Sequence, residues 1–210
     1  MVGSTHSAPG GVGAAGPHKP LSLPSGVAEP PRWGYQKVTI HMSHKEHERH
    51  AHEQQPVVLC AIITISDTRT EATDTSGAAI RESLERRGHL VARYAVVKDE
   101  PEQIVARVRD FAEAGCKAII TSGGTGIARR DSTFEAIDAL LEKRLPGFGE
   151  IFRMLSYQEI GPAAMLSRAT AGTYGGALVF CLPGSSNAAR LAMEQLIGPQ
   201  LSHLVWETVR

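Results

Sequence analysis

The distribution of large apolar residues divides the chain near residue 56. Residues 1–55 are rich in Gly, Pro, Ser and Ala and contain few large apolar side chains. Burial of such a segment cannot offset the entropy lost when it becomes ordered, and this composition is typical of disordered chains. From Pro56 onward, apolar runs alternate with stretches of helical periodicity. The pattern predicts a disordered tail over 1–55 and one folded domain over 56–210.

Apolar runs in the folded part predict strands that are buried on both faces, because their β-branched residues do not alternate with polar ones. The runs are 57–65, 90–97, 116–121 and 177–182. Helices are predicted between them: Asp74 and Pro101 suit the first turns of two helices, and Ser132 and Glu135 have the spacing of a capping box. The alternation predicts parallel βαβ units, and thus a three-layer α/β/α fold with a mostly parallel sheet.

The C-terminal part of the chain carries further helical patterns. The helix that begins after Ser132 is predicted to carry Leu145 inward and to end at a Pro146-Gly147 break. Helices are then expected near 152–157, after a second glycine turn at 183–187, and over 197–205. In parallel sheets of this kind ligands bind beyond the carboxyl ends of the strands, where both glycine turns are predicted to lie.

Charge and cysteine content limit the kind of partner and the compartment. The chain has 22 basic and 22 acidic residues, a balance that argues against nucleic acid or an anionic membrane as the main partner. No apolar stretch approaches the roughly 20 residues of a membrane helix, and residues 1–30 lack the apolar core of a signal peptide. Cys60, Cys116 and Cys181 are widely spaced, so they are predicted to be free, buried thiols. These features predict a cytoplasmic protein.

Two segments of the tail carry patterns of their own. WGYQKVTIHM (33–42) has apolar residues at about every second position, so it could be a docked strand or a disordered segment that binds a neighbour. The histidines of the next segment are His41, His44, His47, His50 and His52. On a helix this spacing would bring several imidazoles within reach of one divalent ion. No carboxylate or cysteine arrangement completes the ligand set, so a solvated linker is favoured over a metal site.

The segment TSGGTGIARRD (121–131) joins a predicted strand to a predicted helix. Gly123, Gly124 and Gly126 lack Cβ atoms, which lets the backbone adopt positive φ and approach a ligand closely. The helix start that follows offers free N–H groups and a positive dipole end, and both favour a bound anion. The loop has neither the Gly-Lys-Ser/Thr ending of a Walker A motif nor the G-x-G-x-x-G spacing. A phosphate cradle is favoured here over a plain tight turn.

Aspartates follow three successive predicted strands. Asp67, Asp99 and Asp131 are expected at one edge of the sheet, close to the glycine loop. Carboxylates repel bound phosphates unless a cation lies between them, and Mg²⁺ commonly bridges the two. The alternative is that each aspartate only complements a helix dipole. Arg129 and Arg130 could pair with ligand phosphates or remain in solvent.

Within residues 57–205 four motifs follow one another along the chain: TSGGTGIARRDSTFEA, LPGFGEIFRMLSYQEIG, LSRATAG and LPGSSNAAR. Together they resemble the molybdopterin adenylyltransferases of molybdenum-cofactor synthesis, the MoaB/Mog group, and the stretch around PGFGE is most similar to the MoaB branch. The resemblance implies that 56–210 is a molybdopterin-binding domain with the MoaB/Mog fold. It also implies the transfer of AMP from ATP, with Mg²⁺, to the terminal phosphate of molybdopterin, ahead of molybdate insertion.

The resemblance implies roles for individual residues. Asp99 and Asp131 match the family's catalytic aspartates, which are expected to hold Mg²⁺. The implied nucleotide- and phosphate-binding residues are Ser122, Gly123, Gly124, Thr125, Gly126, Asp67 and Asp74. The implied pterin-binding residues are Glu150, Ser167, Arg168, Pro183, Gly184 and Ser185. Phe134 stands where the family usually has Pro, a change expected to loosen the helix start without abolishing it.

Partners and alternatives follow from the same resemblance. It implies a homotrimer or homohexamer that works with the molybdenum-insertion enzyme of the same pathway. A non-catalytic carrier or scaffold would bind molybdopterin without turnover, although such a protein gains nothing from the carboxylates of Asp99 and Asp131. A general nucleotide hydrolase would instead release phosphate from ATP in the absence of any pterin.

Overall fold

The structure is a computed structural model that describes residues 57–209. The strands are β1 (Leu59–Ile65), β2 (Leu90–Val97), β3 (Ala118–Ser122), β4 (Lys143–Arg144), β5 (Thr170–Tyr174) and β6 (Ala177–Leu182). The helices are α1 (Thr75–Arg86), α2 (Pro101–Glu113), α3 (Thr133–Leu140), α4 (Pro146–Ile160), α5 (Ser186–Ala192) and α6 (Gly198–Val209). Short 3-10 helices span Glu71–Thr73 and Gly161–Leu166, and a π-helical turn over Met193–Ile197 joins α5 to α6. The predicted tail, including the 33–42 segment and the histidines, lies outside the described residues, so its boundary at 56 stays a prediction.

The strands form one six-stranded sheet in the order β2-β1-β3-β6-β5-β4. β1 is parallel to β2 and β3, and β3 is parallel to β6, as the buried apolar runs predict. β5 is antiparallel to both β6 and β4. This antiparallel edge was not predicted, because β4 has two residues and the sequence of β5, TAGTY, lacks a run of large apolar side chains.

Helices cover both faces of the sheet and confirm the three-layer α/β/α architecture. α1, α4, α5 and α6 pack on one face, and α2 and α3 pack on the other. Neighbouring residues of β1 point to opposite faces: Ile62 joins the first core and Ile63 the second. The three cysteines are free and buried, as predicted. Among residues 57–209, no helix is both long enough and apolar enough to cross a membrane.

Three sequence predictions about the helices near residues 132–147 are wrong. α3 does begin at Thr133, but Ser132 and Glu135 do not form a capping box: the Ser132 hydroxyl donates to Asp99 Oδ1 at 3.1 Å, and Glu135 pairs with Arg168. α3 also ends at Leu140, so Leu145 does not lie on it; Leu145 packs against the core on the opposite face of the sheet. Pro146 and Gly147 form the first turn of α4 rather than a break, since proline suits a first helical position.

Candidate functional site

The two glycine turns meet at the carboxyl edge of the parallel strands. The Gly123 N–H donates to Leu182 O at 3.0 Å, and the Ser122 hydroxyl donates to Pro183 O at 3.3 Å. A Cβ on Gly184 would lie 3.1 Å from the Cα of Gly123, so the backbones of the two turns are in close contact. The sequence prediction that both turns lie at one edge is confirmed.

The glycine loop presents backbone amides. Gly123 and Gly124 have φ of 118° and 61°, a region that other residues rarely adopt. Gly126 has no positive φ, but a Cβ there would overlap the carboxylate of Asp131. Within residues 57–209, no hydrogen bond joins the N–H groups of Gly124, Thr125 or Gly126 to another group. Unengaged amides in succession are suited to bind an anion, and phosphate binding by this loop stays a prediction.

Asp99 and Asp131 border this loop. Asp99 is buried, and its Oδ1 accepts from the Ser132 N–H at 3.4 Å and from the Thr133 hydroxyl at 3.2 Å. A Cβ on Gly124 would lie 2.5 Å from Asp99 Oδ2, so the second oxygen is next to the loop backbone. Asp131 Oδ2 accepts from the Ala128 N–H at 3.1 Å, which closes the turn that follows the glycines.

Asp99 and Asp131 carry the type of oxygen ligand that a magnesium ion takes in proteins. Mg²⁺ in proteins is commonly bound by one or two carboxylates, with phosphate oxygens and water as the remaining ligands. The part of the chain that the structure describes contains no group of three or more His, Cys, Asp or Glu side chains that could hold a metal ion alone. Coordination of Mg²⁺ by Asp99, Asp131 and ligand phosphates therefore stays a prediction.

Asp67 lies at the same edge in an ion pair. Its carboxylate accepts from Arg130 Nε at 2.6 Å and from Arg130 Nη2 at 2.9 Å, and Glu100 also accepts from Nη2 at 3.3 Å. The hydrogen bonds from Arg130 hold the pKa of Asp67 below its ordinary value. Arg129 is exposed and makes no ion pair with any residue in 57–209, so it is the better placed of the two arginines to meet an anion.

Asp74 is buried beneath the edge and caps α1. Its Oδ1 accepts from the Gly77 N–H at 3.0 Å and the Ser76 hydroxyl at 2.9 Å, while its Oδ2 accepts from the Thr64 and Tyr94 hydroxyls, both at 2.5 Å. Burial raises the pKa of Asp74, but these hydrogen bonds outweigh burial and leave the pKa below its ordinary value. Both oxygens of Asp74 therefore accept hydrogen bonds from groups of the protein itself, and the predicted contact of Asp74 with nucleotide stays a prediction.

Replacing Asp74 with asparagine is expected to lower the free energy of unfolding at pH 7 by about 2–3 kcal/mol. The amide nitrogen cannot accept the hydroxyl hydrogen bonds that Oδ2 accepts from Thr64 and Tyr94. Since folding lowers the pKa of Asp74, its contribution is complete above the unfolded value, about 3.9, and is lost as pH falls through the folded value. Urea unfolding should show that the difference in the free energy of unfolding between wild type and variant becomes smaller below about pH 4. A gap that does not depend on pH would contradict this role of the charge.

Three of the predicted pterin-binding residues line one recess beside the second turn. Ser167, Pro183 and Ser185 surround a cavity of about 80 Å³, together with residues that include Ser156 and Asn187. The Ser185 hydroxyl accepts from the Ala188 N–H at 3.1 Å and caps α5, as predicted. The structure does not bring Glu150 into this recess; Glu150 lies exposed near the start of α4. A larger cleft of about 740 Å³ runs along α1 and β2, but no residue of either glycine turn lines it.

Arg168, which follows Ser167 of the recess in the chain, contacts the glycine loop. Its Nε donates to Thr125 O at 2.8 Å, and its two terminal nitrogens donate to Glu135 at 2.6 and 2.9 Å. These bonds hold the pKa of Glu135 below its ordinary value. Phe134 does not prevent the start of α3, and its ring centroid lies 4.7 Å from the guanidinium carbon of Arg168.

Sequence reasoning missed several residues that shape the site. Arg69 donates to Gly184 O at 3.1 Å and to the Ser76 hydroxyl at 2.7 Å, which ties the end of β1 to the second turn. The Thr133 N–H donates to Gly124 O at 3.0 Å. The signal for these residues was their position in connecting segments, since Arg69 follows β1 and Thr133 begins α3 at the end of the glycine loop, where functional contacts are concentrated.

Comparisons with known proteins identify the family to which this chain belongs. Residues 61–203 match the family model described as "Probable molybdopterin binding domain". The chain is 52% identical over 165 residues to molybdenum cofactor biosynthesis protein B of Halalkalibacterium halodurans, which covers 78% of this chain and 97% of the relative. A crystal structure of a molybdenum cofactor biosynthesis protein B superposes with a TM-score of 0.70 at 52% identity, over 72% of this chain and 95% of that one. The chain therefore belongs to the molybdopterin-binding domain family.

Within that family the similarity is to MoaB. The molybdopterin biosynthesis Mog protein from Mycobacterium ulcerans superposes with a TM-score of 0.65 but is 34% identical, over 72% of this chain and 97% of that one. The higher identities to molybdenum cofactor biosynthesis protein B confirm the resemblance to the MoaB branch.

Proposed function

We propose that this protein acts in molybdenum-cofactor biosynthesis by adenylylating molybdopterin with ATP and Mg²⁺. The observation that carries the proposal is the row of unengaged amides at Gly124, Thr125 and Gly126, bordered by the carboxylates of Asp99 and Asp131. A site that only binds an anion gains nothing from carboxylates beside it, whereas a metal–nucleotide site requires them. The relatives named for molybdenum-cofactor biosynthesis support the pathway.

In this proposal the loop amides and the two aspartates have separate roles in the reaction. The loop amides would bind the phosphates of ATP, and Asp99 and Asp131 would hold Mg²⁺, which supplies charge neutralisation on those phosphates. The terminal phosphate of molybdopterin forms a bond to the α-phosphorus of ATP, and the bond to pyrophosphate breaks. No side-chain base is needed, because the attacking phosphate oxygen is already anionic. Positioning and electrostatic stabilisation by this chain therefore account for the acceleration.

The recess at Ser167, Pro183 and Ser185 would hold one end of the pterin substrate, next to the nucleotide phosphates. A homotrimer or homohexamer, and transfer of the product to the molybdenum-insertion enzyme, belong to the same proposal. Exposed apolar side chains on α4 and the following 3-10 helix support self-association, since large exposed apolar patches mark protein contacts. They are Ile151, Met154, Tyr157, Ile160, Met165 and Leu166.

The full chain, incubated with molybdopterin, ATP and Mg²⁺, is expected to release pyrophosphate in an amount equal to the adenylylated pterin formed. Both products are measured, the first by a coupled assay and the second by mass spectrometry. Omission of Mg²⁺ is the matched control and should abolish release. Tight pterin binding without pyrophosphate would identify a carrier instead, and phosphate release without pterin would identify a nucleotide hydrolase.

A further inference from the structure

The contacts of Arg168 end on the loop that would bind phosphate. A guanidinium has five N–H groups, and three of those on Arg168 are engaged, one by Thr125 O and two by the carboxylate of Glu135. The pair with Glu135 is bidentate, the geometry that fixes the plane of a guanidinium. The Nε–H group therefore has one defined direction, and Thr125 O is its acceptor.

Fixing the carbonyl of Thr125 also fixes the next amide. A peptide unit is planar and trans, so its C=O and N–H groups point in opposite directions. The bond from Arg168 to Thr125 O thus directs the Gly126 N–H away from Arg168. In the same way, the bond from the Thr133 N–H to Gly124 O directs the N–H of Thr125. The directions of the Thr125 and Gly126 N–H groups are thus set by hydrogen bonds to the carbonyl oxygens of the same peptide units, those of Gly124 and Thr125.

Phe134 holds the other side of the guanidinium. Its ring centroid lies 4.7 Å from the Arg168 guanidinium carbon, within the range of a cation–π contact. Phe134 and Glu135 are adjacent on α3, whereas Arg168 follows the 3-10 helix that precedes β5. The stack and the ion pair thus hold one side chain from two directions and join α3, the loop and the start of β5.

We propose that Phe134, Glu135 and Arg168 form a clamp that aims the Gly126 amide for phosphate binding, with Phe134 and Arg168 as positioning residues. We take the ligand of the Gly126 amide to be the polyphosphate of a nucleotide, and this identification rests on the proposed function. Arg168 acts mainly through the loop backbone, and its charge is shared with Glu135.

Calorimetric titration of the full chain with ATP and Mg²⁺ separates positioning from direct charge attraction. Arg168→Ala and Arg168→Lys are both expected to raise the Kd for ATP about tenfold. Alanine removes all three hydrogen bonds, and lysine keeps the charge but cannot bond to both oxygens of Glu135 and to Thr125 O at once. Glu135→Ala should also weaken binding, and combining it with Arg168→Ala should add almost nothing further. Tighter binding by Glu135→Ala, or wild-type binding by Arg168→Lys, would overturn the clamp.

The aromatic face is tested by substitution at Phe134. Phe134→Leu is expected to weaken nucleotide binding about threefold, and Phe134→Trp, which keeps a ring face, should bind within about twofold of wild type. Equal Kd values for the leucine variant and wild type would remove Phe134 from the clamp. Arg144→Ala is the control. Arg144 lies on β4 and pairs with Asp138 of α3 at 3.0 Å, its described hydrogen bonds are to Asp138 alone, and its replacement should leave the Kd unchanged.

Amide hydrogen exchange of the ligand-free chain tests the clamp independently of the proposed function. The Thr133 N–H bonds to Gly124 O, so its exchange reports the order of the loop. Arg168→Lys is expected to accelerate this exchange about tenfold, whereas Arg144→Ala should not change it. Unchanged exchange in Arg168→Lys would overturn the clamp even if the chain adenylylates pterin. Faster exchange in a chain that binds no nucleotide would support the clamp while the proposed function fails.

Discussion

Replacing Asp131 with asparagine is expected to slow adenylyl transfer at least about a hundredfold, the loss typical when an enzyme loses one group that stabilises charge in the transition state. The turn itself should survive, because the asparagine carbonyl can accept the Ala128 N–H in place of Oδ2. What the variant loses is the negative charge beside the loop amides. Single-turnover measurements of pyrophosphate release at saturating ATP and several Mg²⁺ concentrations check this.

Asp99 and Asp110 supply the comparisons for this experiment. Asp99→Asn should lose activity to a similar degree, since Asp99 Oδ2 also lies next to the loop. Asp110→Asn should keep full activity, because Asp110 is exposed on α2 and its contact is with Arg107 at 3.5 Å. Rates within threefold of wild type for Asp131→Asn, at limiting Mg²⁺, would exclude the proposed role of this carboxylate.

The sequence predicted the parallel part of the sheet and the place of the site, because both depend on local patterns. Buried β-branched runs such as 57–65 need no tertiary information, and parallel strands bring their carboxyl ends to one edge. From those two facts Asp67, Asp99 and the glycine loop were expected together, and the structure brings them together. The antiparallel pair of β4 and β5 lacks such a local pattern, since its strands are short and poor in large apolar residues.

The partners of the site residues could not be predicted from local patterns. Ser132 and Glu135 have the spacing of a capping box, yet each bonds to a residue 33 positions away, Ser132 to Asp99 and Glu135 to Arg168. A charged or buried partner offers a stronger hydrogen bond than an exposed backbone amide at a helix start. Tertiary contacts of this kind override local capping preferences, and they decide which side chains remain available to a ligand. Asp74 shows both effects: one oxygen caps α1 as the sequence predicts, and the other is engaged by hydroxyls from β1 and β2.

Replacing Gly123 with alanine is expected to lower the free energy of unfolding by about 3 kcal/mol and to abolish nucleotide binding. Gly123 has φ of 118°, and a Cβ there would overlap the backbone carbonyl of Ile65 at the end of β1. Backbone atoms cannot rotate away as a side chain can, so the loop must shift. That shift would also stretch the bond from the Gly123 N–H to Leu182 O, which joins the two glycine turns. Urea unfolding and calorimetric titration with ATP and Mg²⁺ measure the two effects.

Gly115→Ala separates the cost of the backbone conformation from the cost of the close approach. Gly115 also has positive φ, 87°, but a Cβ there would meet no atom within 4 Å. Its replacement is expected to cost about 1 kcal/mol, the strain of an L-residue in that region, and to leave nucleotide binding intact. The excess loss in Gly123→Ala then measures how closely the loop approaches β1. Equal losses of unfolding free energy in the two variants would mean that the backbone conformation alone accounts for the effect. Close packing of the glycine loop against the end of β1 would then not determine the shape of the loop.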